Sequence, residues 1–350
     1  MKLKKHPTYL KWRYWEFWPF YILYIPIFAY WSWVALRARS LLFFTAVNPG
    51  IEGGGISGES KWKIYENLPK DFIPNTVFIK SGTCNETIKK TFEEAGLAFP
   101  IFVKPNIGKR GRLVAKLNDW EALFAYAKHP IDFLIQEFAD HSYEYSVYYI
   151  RHPEKPHGEV LSLTWKEHLR VVGNGKSTVH ELLQERRQGL MRMKEIKAEH
   201  KEKLDYKPQD GEIVKFSDIG NHARGSTFHN QNHLIDDQLR DAFDQVFTYL
   251  VGIHVCRFDI KCNSIKELKQ LHNFKIIEIN GVGGELAHIY DKDYSLWQAY
   301  KDNFYLWEQV LAISRANKIR GIQEASFGEG LAYLWRYRNY RKLLGDLMKT

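Results

Sequence analysis

Two groups of residues in this 350-residue chain have the type and spacing to do chemistry. The first is Phe99-Pro-Ile-Phe-Val-Lys104-Pro-Asn-Ile-Gly108-Lys-Arg-Gly111-Arg-Leu-Val114, an apolar strand that delivers one lysine into a turn with two glycines. Pro105 halts the strand at the lysine because it has no N–H for a ladder bond. Gly108 and Gly111 let the backbone turn tightly and approach a ligand with no Cβ in the way. Asn106, Lys109, Arg110 and Arg112 ring the turn with donors and positive charge. Such a tip suits an anion rich in oxygens, of the kind a nucleotide triphosphate presents. An ordinary basic surface hairpin would use the same residues.

The second group is Arg257-Phe-Asp259 with Glu278-Ile-Asn280. Side chains at i and i+2 of a strand share a face, so Asp259, Glu278 and Asn280 are expected to converge. Their oxygens make a hard donor set suited to Mg²⁺. Arg257 shares that face and can steady negative charge that develops during group transfer. Two sheet salt bridges are the plain alternative, but acids and a lone Asn sit badly in otherwise apolar strands. No side-chain nucleophile with a partnered base is apparent, which favours transfer assisted by cations over covalent catalysis. His222, His229 and His233 find no Cys or acid to complete a zinc site.

Together with the segments between them, these motifs resemble the ATP-grasp superfamily of carboxylate–amine ligases, over roughly residues 60–300. The resemblance implies an α+β fold of two lobes gripping ATP. It implies Lys104 and Lys61 on the phosphates, with Lys63 a rival to Lys61, beneath the loop of Gly108 and Gly111. In Asp132-Phe-Leu-Ile-Gln-Glu-Phe138 it implies the hinge, with Glu137, Phe138 and Ala139 beside the adenine and Glu144, seven residues on, beside the ribose. A carboxylate can accept from two hydroxyls at once. Gly173-Asn-Gly-Lys176-Ser-Thr resembles a loop of cyanophycin synthetase and makes Lys176 a catalytic candidate; Arg170 stands where a Walker A loop needs its first glycine. Asn221-His-Ala-Arg224-Gly225 resembles the loop that lines the phosphate and acceptor region, and makes Arg224 another. Arg257 completes the implied catalytic set, and Asp259, Glu278 and Asn280 the Mg²⁺ ligands. The implied reaction consumes ATP, joins a carboxylate to an amine or other nucleophile through an acyl phosphate, and releases ADP and phosphate. Left open are a phosphotransferase or ligase acting on a lipid-linked substrate, and a non-catalytic nucleotide-binding membrane module.

The elements that must position these residues divide the chain into 1–47, a membrane-associated helical segment; 48–80, a reduced N-terminal region; 81–144, a small lobe; 145–300, a large lobe; and 301–350, basic amphipathic helices. The formal charge of +9 points to anionic lipid or nucleotide phosphate; no nucleic-acid signature accompanies it. Three cysteines without CxxC spacing fit a reducing compartment. From Phe17 to Leu36 no residue is charged, and twenty helical residues span about 30 Å, the thickness of a bilayer core. A single crossing with the ATP-using body in the cytosol would leave Lys2, Lys4, Lys5, Lys11 and Arg13 outside, against the positive-inside tendency. Pro19 and Pro26 would kink it. The expectation is a re-entrant or in-plane segment at the cytosolic face of the membrane, with a helix packed on the body as the alternative. Gly53, Gly55 and Gly58 spell GxGxxG without a βαβ unit, so a loop beside the site is expected there rather than a Rossmann turn. Helices are expected at 61–68, at 85–95 with Asn85 as cap, from 178 to 200, at 235–252, at 295–316 and from 327 to the end. The last is read as lying on lipid or packing on the body.

Overall fold

The computed structural model describes residues 6–109 and 111–348; Lys2, Lys4, Lys5 and Arg110 lie outside that range. The first four strands are β1 (Thr76–Ile79), β2 (Ile101–Pro105), β3 (Ala115–Leu117) and β4 (Phe133–Glu137), joined antiparallel in the order β1-β4-β2-β3. Their alternation decides what faces what. Ile101 and Val103 of β2, with Phe133 and Ile135 of β4, pack against Ile88, Phe92 and Leu123 of the helices Asn85–Glu94 and Trp120–Ala127. Lys104 and Gln136 turn to the opposite side and line a cavity. Asn85 is not the cap of its helix: Cys84 holds that place without a side-chain bond, and Asn85 is the first helical residue.

The next strands are β5 (Tyr143–Ile150), β6 (Glu159–Glu167), β7 (Arg170–Val172), β8 (Ile213–Lys215), β9 (Thr227–Asn230), β10 (Val255–Cys262) and β11 (Phe274–Asn280). Five of them form an antiparallel sheet ordered β11-β10-β5-β6-β9, while β7 and β8 pair apart from it. One face of the large sheet is apolar. Tyr145, Val147, Leu163, Phe258, Ile260 and Ile276 meet Leu239, Phe243, Val246 and Phe247 of the helix Asp237–Phe247. Those positions recur every three or four residues, and Asp236 caps the helix by accepting from Leu239 N at 3.0 Å. Burying each such side chain contributes roughly 1.5–3 kcal/mol. The other face is polar where Glu144, Lys166, Arg257 and Asp259 turn toward the first sheet, and apolar at its far end, where Tyr148, Ile150 and Val255 pack with Val34, Phe43 and Val310.

The aromatic N-terminal segment is broken into a turn at Trp15–Phe17 and helices Phe20–Leu23 and Ile25–Ala38, the prolines standing at or near helix starts. Among the described residues no helix is long and apolar enough to cross a membrane. The longer piece packs on the helix Leu296–Ile319 through Val34 and Ala35, while Tyr21, Ile25, Trp33 and Leu36 stay exposed. The expected continuous helix over 178–200 is two helices, Val179–Gln184 and Arg187–Glu199, the first opened by a Thr178–Glu181 capping box. The last helix, Phe327–Leu347, buries Gly330 and Leu344 and leaves Leu331, Leu334 and Trp335 exposed.

The glycines of residues 53–58 have a packing explanation. Val282 N donates to Gly54 O at 3.2 Å and Gly283 N to Gly55 O at 2.9 Å, so this loop lies backbone to backbone on the turn after β11. A Cβ on Gly55 would stand 2.6 Å from Gly281 Cα. Buried Asn48 holds the loop to β10. It donates to Gly54 O (3.0 Å) and Val255 O (2.7 Å) and accepts from His254 N (2.8 Å) and Val255 N (2.9 Å).

Candidate active site

Between the two sheets lies a cavity of about 1200 Å³. Strand register sets its floor. Arg257 opposes Asn280 and Asp259 opposes Glu278 across β10 and β11, while Asp259 opposes Ser146 and Lys261 opposes Glu144 across β10 and β5. Cross-strand partners share a face, so these residues and Lys166 of β6 form one polar surface. A bulge between Asp259 and Ile260 leaves Ile277 of β11 without a partner in the register.

Lys104 reaches this surface from the opposite sheet. Its Nζ donates to Tyr65 Oη (3.0 Å), Gln136 Oε1 (2.7 Å) and the carbonyl of Ile277 (2.9 Å), and Tyr65 also donates to that carbonyl. Burial pushes the Lys104 amine down from 10.5 to about 7; Glu278 favours its charge and Lys61 opposes it. Lys61 opens the helix Lys61–Tyr65. That helix start is held by Asn106, whose carbonyl accepts from Lys61 N (3.0 Å) and whose Oδ1 accepts from Trp62 N (3.0 Å) and Ser60 Oγ (3.0 Å). Lys61 Nζ then donates to Gly108 O at 2.6 Å and lies 3.7 Å from Glu278 Oε1. Lys63 is exposed, so Lys61 is the lysine that faces the cavity. Lys109 donates to Ile56 O at 2.8 Å beside Glu59, and burial lowers its affinity for the proton.

Asp259 sits between cations. Arg257 Nη2 donates to its Oδ2 at 3.1 Å, and Lys166 Nζ lies 2.8 Å from its Oδ1. The Lys166 contact is off the direction of a hydrogen bond, leaving buried Oδ1 without a donor; the amide nitrogen of buried Asn280 also has no partner. Burial would suppress the charge on Arg257, but Asp259, Glu278 and Glu285 outweigh it and hold the guanidinium charged. Two facing carboxylates, one of them with an oxygen that no donor satisfies, and the amide oxygen of Asn280 fit a hard divalent cation such as Mg²⁺.

Glu144 is more enclosed than a ribose acid needs. Its carboxylate meets Lys166 (3.3 Å), His168 (2.9 Å) and Lys261 (3.6 Å), and a Cβ on Gly220 would fall 2.1 Å from its Oε1. Burial opposes its ionisation, but Lys166, the hydrogen bond with His168 and Lys261 hold its carboxyl well below the ordinary range. Glu137, Phe138 and Ala139 line the cavity with Gly108 and Gly111.

Two of the catalytic candidates fall outside the cavity lining. Lys176 is exposed on a turn closed by Asn174 Oδ1, which accepts from Lys176 N at 3.0 Å and Ser177 N at 2.8 Å. The turn belongs to the β7–β8 unit, which places this lysine on the surface and outside the cavity lining. Arg224 touches the glycine loop, donating to Gly111 O at 3.4 Å, and does not line the cavity. The three histidines have separate surroundings. His222 packs among Phe17, Phe228 and Tyr290, His229 stacks on Trp165 beside Glu167, and His233 is exposed.

Tyr65, Gln136, Lys166 and Lys261 line or brace the corner and were not singled out by the motifs. Their signal was there in part: Ser162, Thr164 and Lys166 alternate with apolar residues along β6, and Gln136 interrupts an apolar run.

No protein-family model matches the chain, and no curated protein matches it. Solved structures that it is similar to include a D-alanine–D-alanine ligase from Bacillus anthracis, at 11% identity and TM-score 0.43, covering 80% of this chain and 71% of the other. Another is the VanG D-Ala:D-Ser ligase from Enterococcus faecalis, at 13% identity and TM-score 0.41, covering 77% and 64%. A third is a bifunctional glutathione synthetase from Pasteurella multocida, at 15% identity and TM-score 0.39, covering 70% of this chain but 36% of that one. The chain thus spans about a third of one of these proteins and about two thirds of the others; a further similar structure is that of the ATP-grasp ligase PsnB, at 12% identity and TM-score 0.37, covering 71% of this chain and 59% of that one.

Proposed function

We propose that this chain is an ATP-dependent ligase that joins a carboxylate to an amine or comparable nucleophile. The observation that carries the reading is the meeting, in one cavity, of Lys61, Lys104 and the Gly108 loop with the Asp259–Glu278–Asn280 corner. Lys61 and Lys104 face carboxylates of the larger sheet, as phosphoryl transfer requires, and among the described residues no side chain lining the cavity is paired for nucleophilic attack.

In the proposed reaction a carboxylate oxygen bonds to the γ-phosphorus as the bond to the β–γ bridging oxygen breaks, and ADP leaves. The amine nitrogen then attacks the acyl carbon, and the C–O bond breaks with its electron pair going to phosphate. The ammonium proton passes to phosphate or solvent. Lys61 and Lys104 would bind the phosphates, Glu137 to Ala139 would flank the base, and Glu144 would accept from the ribose once its cations are shared. Asp259, Glu278 and Asn280 would hold Mg²⁺, which supplies positive charge against the nucleotide's phosphates. Arg257 would steady the transferring group. The exposed Tyr21, Ile25, Trp33 and Leu36 support placing the protein at the cytosolic face of a membrane.

The test is binding of a fluorescent ATP analogue with and without Mg²⁺, for the wild type and Asp259→Ala. The variant should lose the magnesium-dependent part of the affinity and all substrate-dependent release of phosphate. Equal magnesium response in both proteins would remove Asp259 from the metal site, and phosphate retained in the product would make the enzyme a phosphotransferase.

A further inference from the structure

The cavity extends well beyond the phosphate corner. Its other end is walled by two segments that the ligase reading leaves without a task, the aromatic stretch near the N-terminus and the helix Phe327–Leu347. Phe20 and Phe28 from the first, with Phe327, Leu331 and Leu334 from the second, line it while remaining 39, 50, 65, 52 and 53% exposed. Large apolar side chains from opposite ends of a chain, meeting around one opening, mark a surface that binds apolar matter.

This wall is already formed. Phe20, Tyr24 and Phe28 recur every fourth residue, Phe20 stacking on Tyr24 at 4.0 Å and Tyr24 lying 6.0 Å from Phe28. Behind them Ile27, Val34 and Ala35 are buried against the body, which fixes the direction in which the aromatic row faces. At about 1200 Å³ the cavity exceeds the roughly 300–1,000 Å³ of ordinary small-molecule sites, so it has room for more than a nucleotide. Two cations on the walls would favour an acid: Arg112 and Arg341 line the cavity, and among the described residues neither has an acidic partner. An anionic head would be drawn toward them and on toward the lysines.

We propose that the carboxylate substrate is an amphiphile: a carboxylate borne by a single hydrocarbon chain, with the chain in this trough and the head at the Lys104–Asp259 corner. The assignment rests on the ligase reading and adds the substrate class to it. A hydrocarbon chain makes no polar demands on a trough of aromatic and leucine side chains, and the free energy of its burial would hold the head in place.

The experiment uses the full chain with cis-parinaric acid as a fluorescent occupant, displaced by hexanoate, decanoate and tetradecanoate. Affinity should rise about fourfold per methylene while the tail stays within the trough. Leu334→Gln and Phe28→Gln, at positions open to the cavity, should each weaken tetradecanoate about tenfold and hexanoate far less. Equal constants for the three acids would overturn the proposal, as would an alkylamine of matching length binding as tightly as the acid. Phosphatidylglycerol vesicles that sediment the wild type but not Leu334→Gln or Phe28→Gln, with no dependence of binding on acyl length, would overturn it too, making the trough a membrane-docking face. Titration with the fluorescent ATP analogue keeps the two claims apart. If nucleotide binds and chain length has no effect, the amphiphile falls and the ligase reading stands; if nucleotide does not bind, both fall.

Discussion

Replacing Lys104 with methionine keeps the reach of the side chain and removes its charge, and the two proteins should part in how nucleotide affinity follows pH. In the free protein burial holds the Lys104 amine at about 7 instead of 10.5. Its hydrogen-bond partners, Tyr65, Gln136 and the Ile277 carbonyl, are all neutral; the charges that face it are Glu278, which favours protonation, and Lys61, which opposes it. At about pH 8, one unit above that value, roughly nine-tenths of the amine is neutral. A triphosphate brought beside it favours the charged form, so binding should take up close to one proton. Affinity should then fall about tenfold for each unit of pH rise above about 7, until the bound-state value is reached. Calorimetry in two buffers of different ionisation enthalpy, above the last ionisation of ATP, reads that proton directly. The methionine variant should bind more weakly and take up none. No uptake by the wild type, or equal uptake by both, would refute the placement of the phosphates on Lys104. The same shift has a consequence for folding. Between about 7 and 10.5 the unfolded chain carries a proton on Lys104 that the folded one lacks, so wild-type stability rises with pH across that window, by up to about 1.4 kcal/mol per unit. In the variant that rise disappears.

Gly55→Ala would put a Cβ 2.6 Å from Gly281 Cα at a residue with φ of +75°, where neither backbone can yield cheaply; a loss of about 3 kcal/mol is expected in denaturant unfolding. Asn48→Ala strips partners from the four backbone groups that its amide satisfies, Gly54 O, Val255 O, His254 N and Val255 N, and should cost about 3 kcal/mol or more. Asn48→Asp should not restore the loss, because the two donors are gone. Lys176→Ala, on an exposed turn outside the cavity, should leave nucleotide affinity within error of the wild type; a tenfold loss would return that lysine to the site.

Alternation made the residues of β2 and β10 legible. Lys104 beside Val103, and Arg257 and Asp259 around Phe258, can face a cavity only if their neighbours face a core, and they do. What alternation does not disclose is distance between separate segments. Lys176 has the company of glycine, serine and threonine that phosphate loops have, yet it stands on a β7–β8 unit with its own small core. Conversely, Tyr65 lies in an unremarkable helical turn and matters because that turn is pinned by Asn106, on the far side of β2 in the sequence. The glycines at 53–58 spell a dinucleotide-loop pattern for a packing reason: Gly55 is pressed by Gly281, Gly54 by the Phe44 carbonyl, and Gly53 and Gly58 by Tyr333 and Tyr337, and a sequence records smallness without its cause.

The corner itself depends on a one-residue slip in β11. In an unbroken strand Phe274, Ile276, Glu278 and Asn280 would all share a face, burying the acid and amide with the aromatic or exposing the aromatic with them. The bulge at Ile277 shifts the phase, so Phe274 and Ile276 enter the core with Ile279 while Glu278 and Asn280 turn to the cavity. The residue left over is not idle, because its carbonyl accepts from both Lys104 and Tyr65. A single inserted residue therefore aims the metal-type ligands and also moors the buried lysine opposite them. The spacing between the cationic and anionic halves of the site is thereby set by backbone geometry rather than by the reach of flexible side chains.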